Sequence, residues 1–303
     1  MKSLADRSLI GTLGDLIEDL VVELAEPMRL ATDTDVSVAR RRGGSAANVA
    51  TAAVVGGARG RFIGNVGADD VGDRLVDQLE LAGVDVAVAR TGRTGTVVAL
   101  IDELGERSLL TDRGSSGALD RLPTGALDGL SVLHVPAYAL ADEPLASVAE
   151  IALCESASRG QQTSLDASAV PVIERIGADA IRSLVERVRP TVVFCNADEA
   201  LALGVDRCLV GATLTVVKNG ALPVVIHALD GAVIEVPARR VETIVDTTGA
   251  GDAFAAAFMI GVSRGLMPEE CAVLGHDLAA RSLLSKGALQ GCGSSGETGT
   301  SGE

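Results

Sequence analysis

The chain has 303 residues, 47% of them hydrophobic, and a formal net charge of −15. That is enough apolar material for one large α/β domain or two smaller ones, and the charge argues against nucleic acid and anionic membrane surfaces as partners. No apolar run is long enough to span a membrane, the N-terminus shows no signal-peptide plan, and five scattered cysteines (154, 195, 208, 271 and 292) form no Cys-x-x-Cys pair. Together these features are expected of a cytoplasmic protein with reduced, buried thiols.

In chain order, Ser8 to Leu13 reads as a core strand ending at Gly14-Asp15. Ile17 to Met28 and Val36 to Arg42 alternate apolar and polar residues, the pattern of a sheet with one wet face. An Ala- and Val-rich helix follows Gly43-Gly44 and runs to Val55. Arg61 to Val66 is a strand, and Asp70 to Ala82 an amphipathic helix closed by Gly83. Thr96 to Asp102 and Arg107 to Thr111 form a hairpin. From Val132 the chain alternates: strand to Val135, helix to about Ser158, strand at Ser164 and Leu165, helix to Val188, strand from Thr191 to Cys195. Such alternation implies an α/β fold, with a mainly parallel central sheet and helices on both faces. Thr213 to Lys218, Val224 to Ala228, Val233 to Val236 and Val241 to Val245 read as four short strands. Two helices, Ala253 to Arg264 and Glu269 to Ser285, complete a single domain over about residues 1–290. The wet-faced segments, about 16–42 and 95–113, do not fit a parallel core and are assigned to a small separate sheet inserted in that domain. Gly291 to Glu303 is rich in Gly, Ser and Thr and reads as a disordered tail.

One stretch carries more chemistry than the others: Asp246-Thr247-Thr248-Gly249-Ala250-Gly251-Asp252, between an apolar run and a helix of small residues. A helix N-terminus leaves its first N–H groups unpaired and carries the positive end of the dipole. Glycines there let an anion approach the backbone. Asp252 beside such a cradle suits phosphoryl transfer, with the N–H groups of Gly249, Ala250 and Gly251 on the phosphoryl and the carboxylate on a hydroxyl proton. Rival motifs fail: Phe254 stands where the dinucleotide fingerprint wants Gly or Ala, and no Walker pattern occurs.

This stretch resembles the second signature, Asp-Thr-x-Gly-Ala-Gly-Asp, of the ribokinase-like (PfkB-type) carbohydrate kinases. Gly43-Gly44-Ser45-Ala46-Ala47-Asn48 is similar to the first signature of that family, and the resemblance runs from about Ile10 to Ala288. It implies a ribokinase-like fold in which the small sheet is a lid over a sugar. It also implies sugar contacts from Gly43, Gly44, Asn48, Asp19 and Asp15, because glycines admit a polyol to the backbone and carboxylates and amides grip hydroxyls. Arg113 could meet an anionic substrate group or pair with Asp112. Asn196-Ala197-Asp198-Glu199 resembles the family's Asn-x-x-Glu, which implies Asn196 near phosphates and Glu199 holding Mg²⁺ through water. Lys218, Gly220 and His276 match nucleotide-side positions. Asp246, Thr248, Ser282 and Gly287 match a loop that holds a monovalent cation, such as K⁺, in some members. The span from Glu199 to Lys218 is short for the family, so one helix is expected to be a stub. His134 and Asp166 end strands at the same edge without an assigned role.

The implied activity is transfer of the γ-phosphoryl of ATP, with Mg²⁺, to a hydroxyl of a free sugar or sugar acid. A nucleoside kinase of the same family and a non-catalytic sugar or nucleotide binder are the alternatives. Scarcity of aromatics favours a sugar, since a base needs a stacking face and the chain offers only Phe62, Phe194, Phe254, Phe258 and Tyr138. An exposed lid face could pair with a second copy, giving a homodimer.

Overall fold

A computed structural model describes residues 8–285 and 287–289 of the chain. The Gly/Ser/Thr-rich tail expected at 291–303 lies outside them, as does Cys292.

The large sheet is built from β1 (Leu9–Leu13), β4 (Arg59–Val66), β5 (Val84–Arg90), β8 (Val132–Pro136), β9 (Gln162–Asp166), β10 (Val192–Asn196), β11 (Leu214–Lys218), β12 (Val224–Ala228) and β13 (Val233–Val236). Its order is β13-β12-β11-β10-β9-β8-β1-β4-β5. Every pairing from β11 to β5 is parallel, and β12 and β13 add antiparallel at one edge. Strand order reverses beside β1: the chain runs one way to β4 and β5, then returns to β8 on the other side. Ligands collect outside the carboxyl ends of strands at such a switch point.

The small sheet has the order β3-β2-β6-β7, from β2 (Ile17–Leu24), β3 (Val36–Gly43), β6 (Thr96–Ile101) and β7 (Arg107–Asp112). The rungs Asp19↔Arg41, Asp19↔Val97 and Val97↔Thr111 put these side chains on one face, which closes over the cleft. The opposite face carries Val36, Val38 and Leu110, all exposed. It is therefore largely apolar rather than the wet face that alternation implied. At its base Glu18, almost fully buried, takes ion pairs from Arg40 on β3 and Arg74 on a core helix.

Helices α1 (Ser45–Val55), α2 (Asp70–Leu81), α3 (Leu145–Ser158), α4 (Val170–Ile176), α5 (Ala178–Val188), α6 (Ala197–Leu203), α7 (Ala250–Ser263) and α8 (Pro268–Ser282) cover the large sheet. Helix α7 is apolar on all sides, as a helix buried in a core must be. It packs closely because small residues meet: a Cβ on Gly261 would stand 2.7 Å from Cys271 Sγ on α8. Phe194, Phe254 and Phe258 form an aromatic cluster between α7 and β10, Phe194 meeting Phe258 edge-on at 5.4 Å.

Four further expectations change. Val241 to Val245 is not a strand: Ile244 is 56% and Val245 49% exposed, and the run lines the cleft. Its apolar character serves a ligand wall rather than a sheet interior. Val84–Arg90, unassigned by its pattern, pairs parallel with β4. The helix expected up to Val188 breaks at Gly177, whose φ of 93° ends α4 and starts α5. Cys154 is exposed, although Cys195 and Cys271 are buried.

Candidate active site

A cleft of about 1190 Å³ runs between the two sheets. Its floor is the turn 246–249 and the first turn of α7. Gly249 is the N-cap of α7, with φ 76°, and a Cβ there would collide with Ala288 at 2.7 Å. The N–H groups of Gly249, Gly251 and Asp252 have no partner among the described residues, whereas that of Ala250 reaches Thr247 O at 3.3 Å. The unpaired donors therefore differ from the expected trio by one member, Asp252 standing in for Ala250, because the Thr-Thr-Gly turn uses the Ala250 donor itself. Gly251 is exposed to the cleft, where a Cβ would meet only Lys218 Nζ, at 3.4 Å.

Asp252 sits in the first turn of α7, facing α1. Ser45 Oγ donates to its Oδ1 (2.7 Å) and Asn48 Nδ2 to its Oδ2 (3.0 Å). Burial raises its pKa above the usual carboxylate value, and these two bonds pull it partly back. Gly44 holds the N-cap position of α1 with no side-chain bond, and Ser45 is the first helical residue. Sequence reasoning missed its contact with Asp252, although the i, i+3 spacing of Ser45 and Asn48 puts both on one helix face. Gly44 has φ 104°, and any Cβ would stand 2.1 Å from Asp15 O. Its first demand is this close backbone approach.

Asp19 lies on the cleft face of β2, and Gly43 makes room for it: a Cβ there would stand 2.3 Å from Asp19 Oδ1. The carboxylate makes no hydrogen bond among the described residues, and burial, opposed by Arg107 and Arg41, raises its pKa. Asn48 Oδ1 is likewise buried without a partner. Asp15 and Arg113 also reach the cleft but hold each other, Arg113 Nη2 lying 2.6 Å from Asp15 Oδ1. Arg113 does not pair with Asp112, which takes Arg93 instead. The Arg113 guanidinium lies 5.8 Å from the ring centre of Tyr138, an aromatic wall the sequence did not place at the site.

Strand ends supply the other side. Lys218, ending β11, makes a 2.6 Å ion pair with Asp166, ending β9. Burial works against the ammonium, yet Asp166, Glu199 and Asp252 together raise its pKa, so it stays charged. Asp166, earlier without a role, holds the lysine beside Gly251. Asn196 and Glu199 form a reciprocal cap on α6: Glu199 N–H donates to Asn196 Oδ1 (2.9 Å) and Asn196 N–H to Glu199 Oε2 (2.8 Å). Helix α6 is the short stub expected. Burial, and then the charge of Asp166, raises the pKa of Glu199. The oxygen donors of Glu199 and the neighbouring Asp166 are of the hard kind that suits a water-mediated Mg²⁺. His276 and Gly220 line the cleft, and His276 Nε2 lies 3.3 Å from Val236 O with its ring 5.2 Å from Phe254.

The four residues expected around a monovalent cation come together only in part. Asp246 Oδ1 accepts from Thr248 N–H (2.9 Å), and Oδ2 accepts from Gly287 N–H (2.9 Å) and Arg41 Nη1 (3.3 Å). Thr248 Oγ1 accepts from Arg107 Nη1 (3.1 Å), and Ser282 Oγ, fully buried, donates to Ala279 O (2.7 Å). Burial opposes ionisation of Asp246, but these bonds and Arg41 hold its pKa at about 2. The expectation of K⁺ does not fit this donor set, because guanidinium groups already occupy the carboxylate and the hydroxyl that would bind it.

Among the described residues no helix is long and apolar enough to cross a membrane. Residues 12–292 match the family model described as pfkB family carbohydrate kinase. A fructokinase of Klebsiella pneumoniae is 31% identical over 304 residues, covering 92% of this chain and 94% of its own. A cytidine kinase of Thermococcus kodakarensis is 31% identical over 80% of this chain and 88% of its own. The structure of a probable sugar kinase protein from Rhizobium etli shares the fold with a TM-score of 0.82, at 24% identity over 93% of this chain and 94% of that one. A ribokinase of Arabidopsis thaliana, complexed with ribose and ATP, gives a TM-score of 0.76 at 19% identity over 93% and 94%. With its sheets, helices and signature turn matched over nearly all its length, the chain belongs to the pfkB family of carbohydrate kinases and has a ribokinase-like fold.

Proposed function

We propose that the protein transfers the γ-phosphoryl of ATP, assisted by Mg²⁺, to a hydroxyl of a free sugar or sugar acid. The observation that carries this reading is the place of Asp252. It stands between acceptors without partners among the described residues, Asp19 on β2 and Asn48 Oδ1 on α1, and unsatisfied N–H donors at the start of α7. A substrate hydroxyl there gives its proton to Asp252, which Ser45 and Asn48 aim. The N–H groups of Gly249 and Gly251, with Lys218, take the charge of the transferring phosphoryl. Asp19 and Asn48 Oδ1 accept from sugar hydroxyls, and bringing in those donors relieves one buried acceptor without a partner, Asn48 Oδ1, and serves the half-buried carboxylate of Asp19. Glu199, with Asp166 beside it, would hold Mg²⁺ through water, and the ion would offset phosphate charge. Asn196, Gly220 and His276 line the nucleotide end, and the exposed apolar face of the small sheet is where a second copy would pair.

Tyr138, with Arg113 over its ring, favours a second reading, a nucleoside acceptor whose base stacks on that wall. ADP release with ribose, fructose, 2-keto-3-deoxygluconate, adenosine, cytidine and inosine separates these readings. The expected outcome is a sugar or sugar acid with the highest kcat/KM. A nucleoside well above every sugar would reverse the assignment, and no release with any acceptor would leave a binding protein.

A further inference from the structure

The cavity behind the cradle, about 340 Å³, is lined by three arginines of the small sheet and its edges, Arg41, Arg42 and Arg107, and by three carboxylates, Asp19, Glu23 and Asp246. Arg41 reaches Asp246 across 205 positions of chain, with both side chains about three-quarters buried. Arg42 is nearly fully buried, its Nε has no partner among the described residues, and burial lowers its pKa to about 10. Arg107 holds Thr248. A free alkali cation entering here would have to displace the Arg41 guanidinium from Asp246, the carboxylate that would otherwise bind it. The carboxylate itself is ionised and stands three residues before the cradle, where it needs a counter-charge if phosphate is to approach.

We propose that Arg41 is this chain's own monovalent cation: its guanidinium neutralises Asp246, holds the turn before the anion cradle, and makes K⁺ unnecessary. Arginine suits this role because its charge is permanent and its planar fork keeps the geometry. Arg41 is a positioning residue, acting through Asp246 and touching no reacting atom. It is also the cross-strand partner of Asp19, so the strand pair that grips the sugar carries the counter-charge. The inference rests on the kinase reading only for its kinetic arm.

The test compares wild-type protein, Arg41→Gln and Arg41→Lys in KCl and in tetramethylammonium chloride at equal ionic strength. The thermal midpoint needs no turnover and stands even if no acceptor is found. For wild type and Arg41→Lys, midpoint and kcat should be the same in both salts. Arg41→Gln should lose about tenfold in kcat in tetramethylammonium, the worth of one charge-assisted hydrogen bond, with acceptor KM little changed. K⁺ should then raise both its midpoint and its kcat, as a ligand that binds only the folded state does. K⁺ stimulation of the wild type would overturn the proposal. So would an Arg41→Gln variant with wild-type kcat in both salts, or one whose loss K⁺ does not repair, which would place the effect on Asp19 instead. Should Arg41→Gln fail to fold in either salt, a K⁺-dependent midpoint in Arg41→Lys or wild type decides against the proposal, and equal midpoints support it.

Discussion

On the large-sheet side of the cleft, Asp252, Lys218 and Glu199 sit at strand ends or in first helical turns, and each is held by another core side chain. On the small-sheet side, Asp19 and Arg107 ride on strands whose other face is open to solvent, and Asp19 is held by nothing among the described residues. Side chains fixed in advance cost no reorganisation at the moment of reaction, so they suit charge that develops in the transition state. A carboxylate without protein partners suits a substrate that brings its own donors. Under the proposed function, this difference gives chemistry mainly to the large-sheet wall, and acceptor recognition to the small-sheet wall together with Asn48 on α1.

The sharpest break in that division would come from Lys218→Met. Losing a positioned cation beside the cradle should lower kcat roughly 10²–10³-fold with little change in acceptor KM, read from steady-state kinetics. A change confined to acceptor KM would move Lys218 to the recognition side. Asp19→Asn should do the reverse, raising acceptor KM about 10–100-fold through lost charged hydrogen bonds while kcat stays near wild type. An equal fall in kcat would show that the small-sheet wall also serves the chemical step.

The smallest effect sharpens the picture of Asp252. Burial lifts its pKa above the ordinary 3.8, and the base must be ionised to accept a proton. The acid limb of the kcat/KM profile should therefore lie above that value, activity falling as pH drops through it. Ser45→Ala removes one of the bonds that lower this pKa, so the limb should move further up, with a loss of at most about tenfold at neutral pH. A limb that moves down, or not at all, would detach Ser45 from the base.

The sequence reading foresees local geometry where the residues concerned are neighbours in the chain. Asp246 to Asp252 and Asn196 to Glu199 each form one turn at a helix start, and their geometry follows from local backbone rules. It fails where burial depends on what the tertiary structure leaves open. Val241 to Val245 is as apolar as a strand, but it packs against a ligand cleft. Arg41 stands between Arg40 and Arg42, and Arg107 between Glu106 and Ser108, as solvated residues do, and only the register of the small sheet turns them toward Asp246 and Thr248. Tyr138 lies in a short turn after β8, where no periodicity reveals which way its ring faces. Ser45 could have been found, because three residues separate it from Asn48 on one face of α1.

The central claim is that Asp252 takes the acceptor proton while other groups bind the acceptor. Asp252→Asn keeps the shape and the Ser45 contact but removes the base. With the best acceptor from the panel, kcat should fall roughly 10²–10⁴-fold, while the acceptor Kd measured by calorimetry stays close to wild type. A folded Asp252→Asn protein with near-native turnover would contradict the account.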